Sequence, residues 1–149
     1  MKKVVKEKVE KYDVFVATDG REFDNEDDCR AWEKSYKFTI EKDMEKIKKI
    51  EVNAISIGFD YASDDYECYV LIPKSIEETI IINAWIDVIA CGNVGYNGRV
   101  TNDMVGKEVV LNFGYDRDYC DVYTLDGIIE EHRKKIDNVK DLLKEKIEK

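Results

Sequence analysis

Residues 66–93 read YECYVLIPKSIEETIIINAWIDVIACGN, and how this stretch divides governs the reading of everything around it. Tyr66 to Ile72 is rich in aromatic and β-branched residues and stops at Pro73, which cannot donate to a sheet ladder, so it reads as a strand. Ser75-Ile76-Glu77-Glu78 then has the form of a capping box, in which a serine oxygen and a glutamate carboxylate satisfy the free amides of a helix start. The segment after this cap, with Ile80, Ile81, Ile82, Trp85, Ile86, Val88 and Ile89, is apolar on almost every side. Taken alone, its β-branched run would pass for a strand. The cap before it and the Cys91-Gly92-Asn93 stop behind it make it a buried helix reaching about Ala90.

A buried helix needs a sheet or other helices around it, and the flanking sequence supplies both. Upstream, Ile55, Ile57 and Phe59 alternate into a polar turn from Asp60 to Asp65, which predicts a strand returning through Tyr66. Downstream, Glu108 to Phe113, a turn from Gly114 to Asp118 and a strand from Tyr119 to Leu125 repeat the pattern. A helix then runs from Asp126 to near the C-terminus, with a narrow stripe of Ile129, His132, Ile136, Val139 and Leu143. That stripe would pack on the domain's own sheet or, in a homodimer, on the same helix of a second copy. At the other end, Asp19-Gly20 closes a hairpin from about Tyr12 to Phe23, extended upstream through Val4-Val5. Asp24 or Asn25 caps a long helix whose Cys29, Trp32, Tyr36, Ile40, Met44 and Ile47 recur every three or four residues.

The expectation is an α+β protein: three strand-turn-strand-helix units, an antiparallel sheet, and helices on one face. All 149 residues form a single domain, with an N-terminal ββα module at about 12–50. Gly92 to Lys107 is the longest connection, and Asn97-Gly98 predicts a small hairpin within it.

Composition narrows the function classes. No apolar run approaches the roughly 20 residues of a membrane span, and Met1 to Lys11 alternate charge with valine, so neither a membrane helix nor a signal peptide is expected and the location read is cytoplasmic. Cys29, Cys68, Cys91 and Cys120 lie far apart with His132 as the sole histidine, which predicts buried free thiols and no metal site. Net charge is −9. Residues 1–50 hold 13 basic and 13 acidic side chains, 51–128 hold 4 and 14, and 129–149 hold 7 and 6. The excess sits in the middle, where it repels phosphate backbones and attracts a basic groove, so direct nucleic-acid binding is not expected.

Catalytic patterns fail one by one. Gly92, Gly95 and Gly98 come after a helix, whereas a phosphate loop must come after a strand. Asp116, Asp118 and Asp121 lack the glycine and the closing glutamate of a calcium loop. His132 sits on an apolar stripe, and no serine or cysteine has a nucleophile's setting. No cofactor is expected, and the chain reads as a non-enzyme. Two binding sets remain. One is an acidic edge made of the turn residues Asp60, Asp64, Asp65, Asp116 and Asp118. The other is a phosphate or nucleotide contact made of Tyr96, Asn97, Arg99 and Arg117. Lys74 and Lys107 are the remaining cations of the acidic middle, and they too fall at element ends.

Tyr12, Ala17, Asp19, Gly20 and Phe23, together with Cys29, Trp32 and Glu33 after them, give an opening that resembles short accessory proteins encoded by phages and prophages of low-GC Gram-positive bacteria. The likeness spans about 25 residues, and its motif residues fit a folding module, with a turn, a closing phenylalanine and a facing helix. It implies a protein that binds and disables host machinery. A CRISPR effector's basic groove would suit the acidic edge, and a nucleotide second messenger would suit the arginine set.

Overall fold

The centre of the protein is a strand with no solvent-facing side. Val109–Phe113 (β5) is buried at all five positions because it lies between two antiparallel neighbours and is covered on both faces. The computed structural model describes residues 1–7, 9–53, 55–58, 66–90, 98–114, 117 and 119–147. Within them the elements run β1 (Phe15–Val16), β2 (Glu22–Phe23), α1 (Glu26–Met44), β3 (Lys49–Val52), a 3-10 turn (Ile55–Ile57), β4 (Glu67–Leu71), α2 (Ile76–Ile89), a second 3-10 turn (Asn102–Met104), β5, β6 (Cys120–Thr124) and α3 (Leu125–Lys146). The antiparallel sheet has the order β3-β4-β5-β6, with Tyr69 opposite Leu111 and Leu111 opposite Val122. The α+β class expected from the sequence is the class observed.

Period-two alternation sorts the strands onto two faces. Tyr69, Leu71, Val109, Leu111, Phe113, Cys120 and Val122 point into the main core, where Ile40, Met44, Ile82, Trp85 and Ile86 of α1 and α2 cover them. Trp85 meets Tyr69 at 5.5 Å and Phe113 at 5.4 Å, both edge to face. Each such pair contributes about 0.5–1.5 kcal/mol beyond area burial. Cys68, Val70 and Val110 point the other way, where Ile57, Leu125 and Ile128 cover them. Helices α1 and α2 therefore share one face, but the expectation that all helices lie on one face fails for α3, whose Leu125 and Ile128 pack on the opposite side with Cys68 and Val110.

Two further expectations shift. The partner of β4 is Lys49–Val52, not the Ile55–Phe59 run, and Ile55–Ile57 forms a 3-10 turn. As an edge strand β3 keeps charge at Lys49 and Glu51, the usual protection of an unpaired edge, and its alternation with Ile50 and Val52 lasts only four residues close behind α1. Lys49 nevertheless sets its ammonium over the rings of Tyr69 and Trp85, 6.0 and 5.3 Å from their centroids. The extension through Val4-Val5 is not formed, since the described residues of 1–14 carry no element and Val4 and Val5 are exposed. The hairpin predicted at Asn97-Gly98 lies partly outside the described residues. From Gly98 the chain is held by Asn83, whose side-chain amide donates to the Val100 carbonyl and accepts from the Val100 amide, as a neighbouring strand would.

Local signals elsewhere act as read. Asn25 Oδ1 accepts from the amides of Asp27 and Asp28, capping α1. Ser75 Oγ accepts from the Glu78 amide, while the Glu78 carboxylate takes the Lys74 amide, one residue before the capping serine. Cys29, Cys68 and Cys120 are free and buried, and Cys91 lies outside the described residues. Burial pushes the Cys68 and Cys120 thiols up to about 12.

Candidate functional site

The ββα module is built around Trp32. The Asp19-Gly20 turn, with Gly20 at φ +86°, brings the Asp19 carboxylate to the Trp32 indole, whose Nε1 donates to it at 2.9 Å. Arg21 stacks on the same ring at 4.0 Å, and Phe23 approaches it at 6.3 Å. Glu33 accepts from both the amide and the hydroxyl of Thr18. The residues that carry the resemblance thus fasten the hairpin to α1, and they hold a group of exposed carboxylates at fixed positions: Asp19, Glu22, Asp24, Glu26, Asp27 and Asp28. Residues 13–33 carry 8 acidic and 2 basic side chains. The 13-to-13 balance of residues 1–50 hides this, because lysines before and after the module cancel it. A shorter window over the sequence finds it. Three of these acids, Glu26, Asp27 and Asp28, occupy the first turn of α1, where they also favour the helix dipole.

The expected acidic edge lies beyond the described residues. Asp60, Asp64, Asp65, Asp116 and Asp118 lie outside the described residues, as do Tyr96 and Asn97 of the alternative set. Arg99 and Arg117 are described, and both are engaged within the chain. Arg99 Nη2 pairs with Asp87 Oδ1 of α2 at 2.5 Å. Arg117, in the left-handed region at φ 58°, reaches back 50 residues to Glu67, its Nε lying 3.1 Å from each carboxylate oxygen. Tyr69 donates to the same carboxylate at 3.1 Å. Hydrogen bonding to Glu67 raises the Arg117 pKa, while burial and the Glu67 charge push the Tyr69 phenol up to about 12. The structure does not bring the two arginines to a common contact; each ties a loop to a separate element.

Two concavities lie among the described residues. One, of about 610 Å³, lies between the first 3-10 turn and α3, along Ile57, Gly58, Ile129, His132 and Ile136. His132 itself is seated against Gly58, where a Cβ would lie 2.0 Å from its Nε2. The other, of about 390 Å³, runs beside the β3 edge over Ile50, Val70 and Ile72, rimmed by Lys46, Lys48 and Lys74. Ser56 and His132 both line the first, with no hydrogen bond between them, and the second is lined by lysines, glutamates and apolar side chains. Among the described residues no group of three or more His, Cys, Asp or Glu could hold a metal ion, and no helix is long and apolar enough to cross a membrane. No family model, curated protein or solved structure matches the chain.

Proposed function

We propose that this is a non-catalytic, cytoplasmic binding protein that disables a host component, in the manner of a phage-encoded inhibitor, by seating an acidic surface in a basic groove such as that of a CRISPR effector. The observation that carries the choice is the pairing of both candidate arginines, Arg99 with Asp87 and Arg117 with Glu67. A nucleotide-binding reading needs those guanidiniums to face a ligand phosphate, and each would first have to leave a carboxylate. With the two arginines so engaged, Lys74 and Lys107 are the remaining cations of an acidic middle segment. The exposed carboxylates of the ββα module extend the same sign of field, and the resemblance of that module to phage accessory proteins supplies the context.

The reading is tested with a panel of purified CRISPR effectors and other basic nucleases. Binding should weaken steeply as salt rises, since exposed attraction is screened over about 10 Å at 0.1 M. Two asparagine sets locate the surface: Asp64, Asp65, Asp116 and Asp118 in one, Asp24, Asp27 and Asp28 in the other. At least one set should slow association while shifting melting by no more than a few degrees, the second set also losing the support that Asp27 and Asp28 give the α1 dipole. A melting temperature raised by cyclic dinucleotides, and no longer raised after Arg99→Ala or Arg117→Ala, would replace the inhibitor by a nucleotide-binding protein.

A further inference from the structure

Helix α3 is 22 residues long, yet Ile128 in its first turn is its buried residue. Beyond it Ile129, Ile136, Val139, Leu142, Leu143 and Ile147 are 45–72% exposed, an apolar line about 27 Å long at 1.5 Å per residue. Their spacing is that of a coiled-coil seam: positions 129, 136 and 143 share one heptad site, and 132 and 139 the other. His132 rests on Gly58, so the seam is open from Ile136 onward.

The charges beside the seam say what fits it. In this register the positions that flank the seam hold Arg133 and Lys140 on one side and Lys135 on the other, with no acid among them; Glu130, Asp137 and Lys144 lie one step further round, with Glu130 paired to Arg133 at 3.1 Å, and Lys146 continues the line of His132 and Val139. A second copy aligned in parallel would set Lys135 against Lys140, and an antiparallel copy would set like borders together, so self-pairing is opposed by like charge. A lipid surface is a poorer match, because the apolar line has no aromatic residue and the whole chain carries −9. We propose that α3 is a docking helix for an amphipathic helix of another protein, one whose apolar seam is bordered by glutamate or aspartate. This surface is separate from the acidic one and opposite to it in sign, so the two readings stand or fall independently.

The test uses the full chain and two synthetic four-heptad peptides with isoleucine and leucine in the seam, one bordered by glutamate and one by lysine. The glutamate peptide should bind at least tenfold more tightly, and Lys135→Glu with Lys140→Glu should invert that preference. Ile136→Ser, Val139→Ser and Leu143→Ser together should abolish binding. Equal affinity for both peptides, or binding that survives the serine variant, overturns the proposal. Sedimentation of the protein alone as a dimer that the serine variant dissolves would assign the seam to a second copy. Co-sedimentation with phosphatidylglycerol vesicles, lost in the same variant, would assign it to a membrane, and either result refutes a protein partner.

Discussion

Helices α2 and α3 are both rich in isoleucine, and they end in opposite environments. α2 is apolar nearly all round and lies over the sheet, with Ile82 and Ile86 fully buried. α3 has the sharper separation of apolar and polar faces, and most of its apolar face is open to solvent. Periodicity therefore tells which side of a helix would be buried, and the rest of the fold decides whether a surface exists to bury it. Here α1 and α2 fill one face of the four-stranded sheet, and Ile57, Leu125 and Ile128 fill much of the other, which leaves α3 nothing to lean on after its first turns.

The largest effect that would sharpen this contrast is expected at alkaline pH, because the sheet holds groups whose ionisation its burial opposes. Cys68 and Cys120, on opposite faces, are raised from 9 to about 12, and Tyr69 from 10 to about 12. A folded-state pKa above the unfolded one gives stability that is complete below the unfolded value and is lost as pH climbs through the folded value. The core should thus hold to about pH 9 and weaken between 9 and 12, as read by tryptophan fluorescence and far-ultraviolet circular dichroism. A fold unchanged at about pH 12 would mean that the thiolates form without leaving the core. Next in size is Trp85→Ala, which removes the ring between Tyr69 and Phe113 and should cost about 3–5 kcal/mol in chemical denaturation. A cost under about 1 kcal/mol would place α2 no deeper than α3.

Much of this architecture is legible in the sequence because local chemistry and tertiary packing agree. Ser75, Asn25 and Asp19-Gly20 act where they stand, and the uniformly apolar α2 has few environments open to it. The errors lie where a neighbour overrides the local pattern. Ile55 and Ile57 alternate like a strand, yet Lys49–Val52 takes the place beside β4, its alternation of charge with Ile50 and Val52 being too short, and too close to the end of α1, to stand out. The candidate arginines look available in sequence because both partners are distant along the chain, Asp87 by 12 residues and Glu67 by 50. The acidic hairpin disappears whenever charge is summed over a segment as long as residues 1–50.

Asn112 is a fourth case, and it yields a prediction of intermediate size. It sits in β5 opposite Cys68 and Asp121, wholly buried, and among the described residues neither atom of its side-chain amide has a hydrogen-bond partner. An unsatisfied buried polar group costs about 1–3 kcal/mol. Asn112→Leu, close in shape, should stabilise the fold by an amount in that range, read as a rise in melting temperature. A fall would mean that the amide is satisfied, by a bound water or a ligand, and would turn this face of the sheet into a place to look for one.

The smallest effect is expected in α3, and it bears most directly on the comparison. Replacing Ile136, Val139 and Leu143 by serine removes more apolar surface than Trp85→Ala, but these side chains are 57%, 65% and 45% exposed. Serine matches isoleucine and valine in helix propensity and falls only slightly below leucine, so the backbone loses little. Side chains that touch little in the folded state have little to lose, and surface changes away from caps and buried contacts stay within about 0.5 kcal/mol. The triple variant should therefore melt within a few degrees of the parent, while Ile82→Ser alone, at a fully buried site of α2, should cost several times more. A triple variant as damaging as Ile82→Ser would mean that the stripe is part of the domain's own core, and α3 would then have no seam to offer a partner.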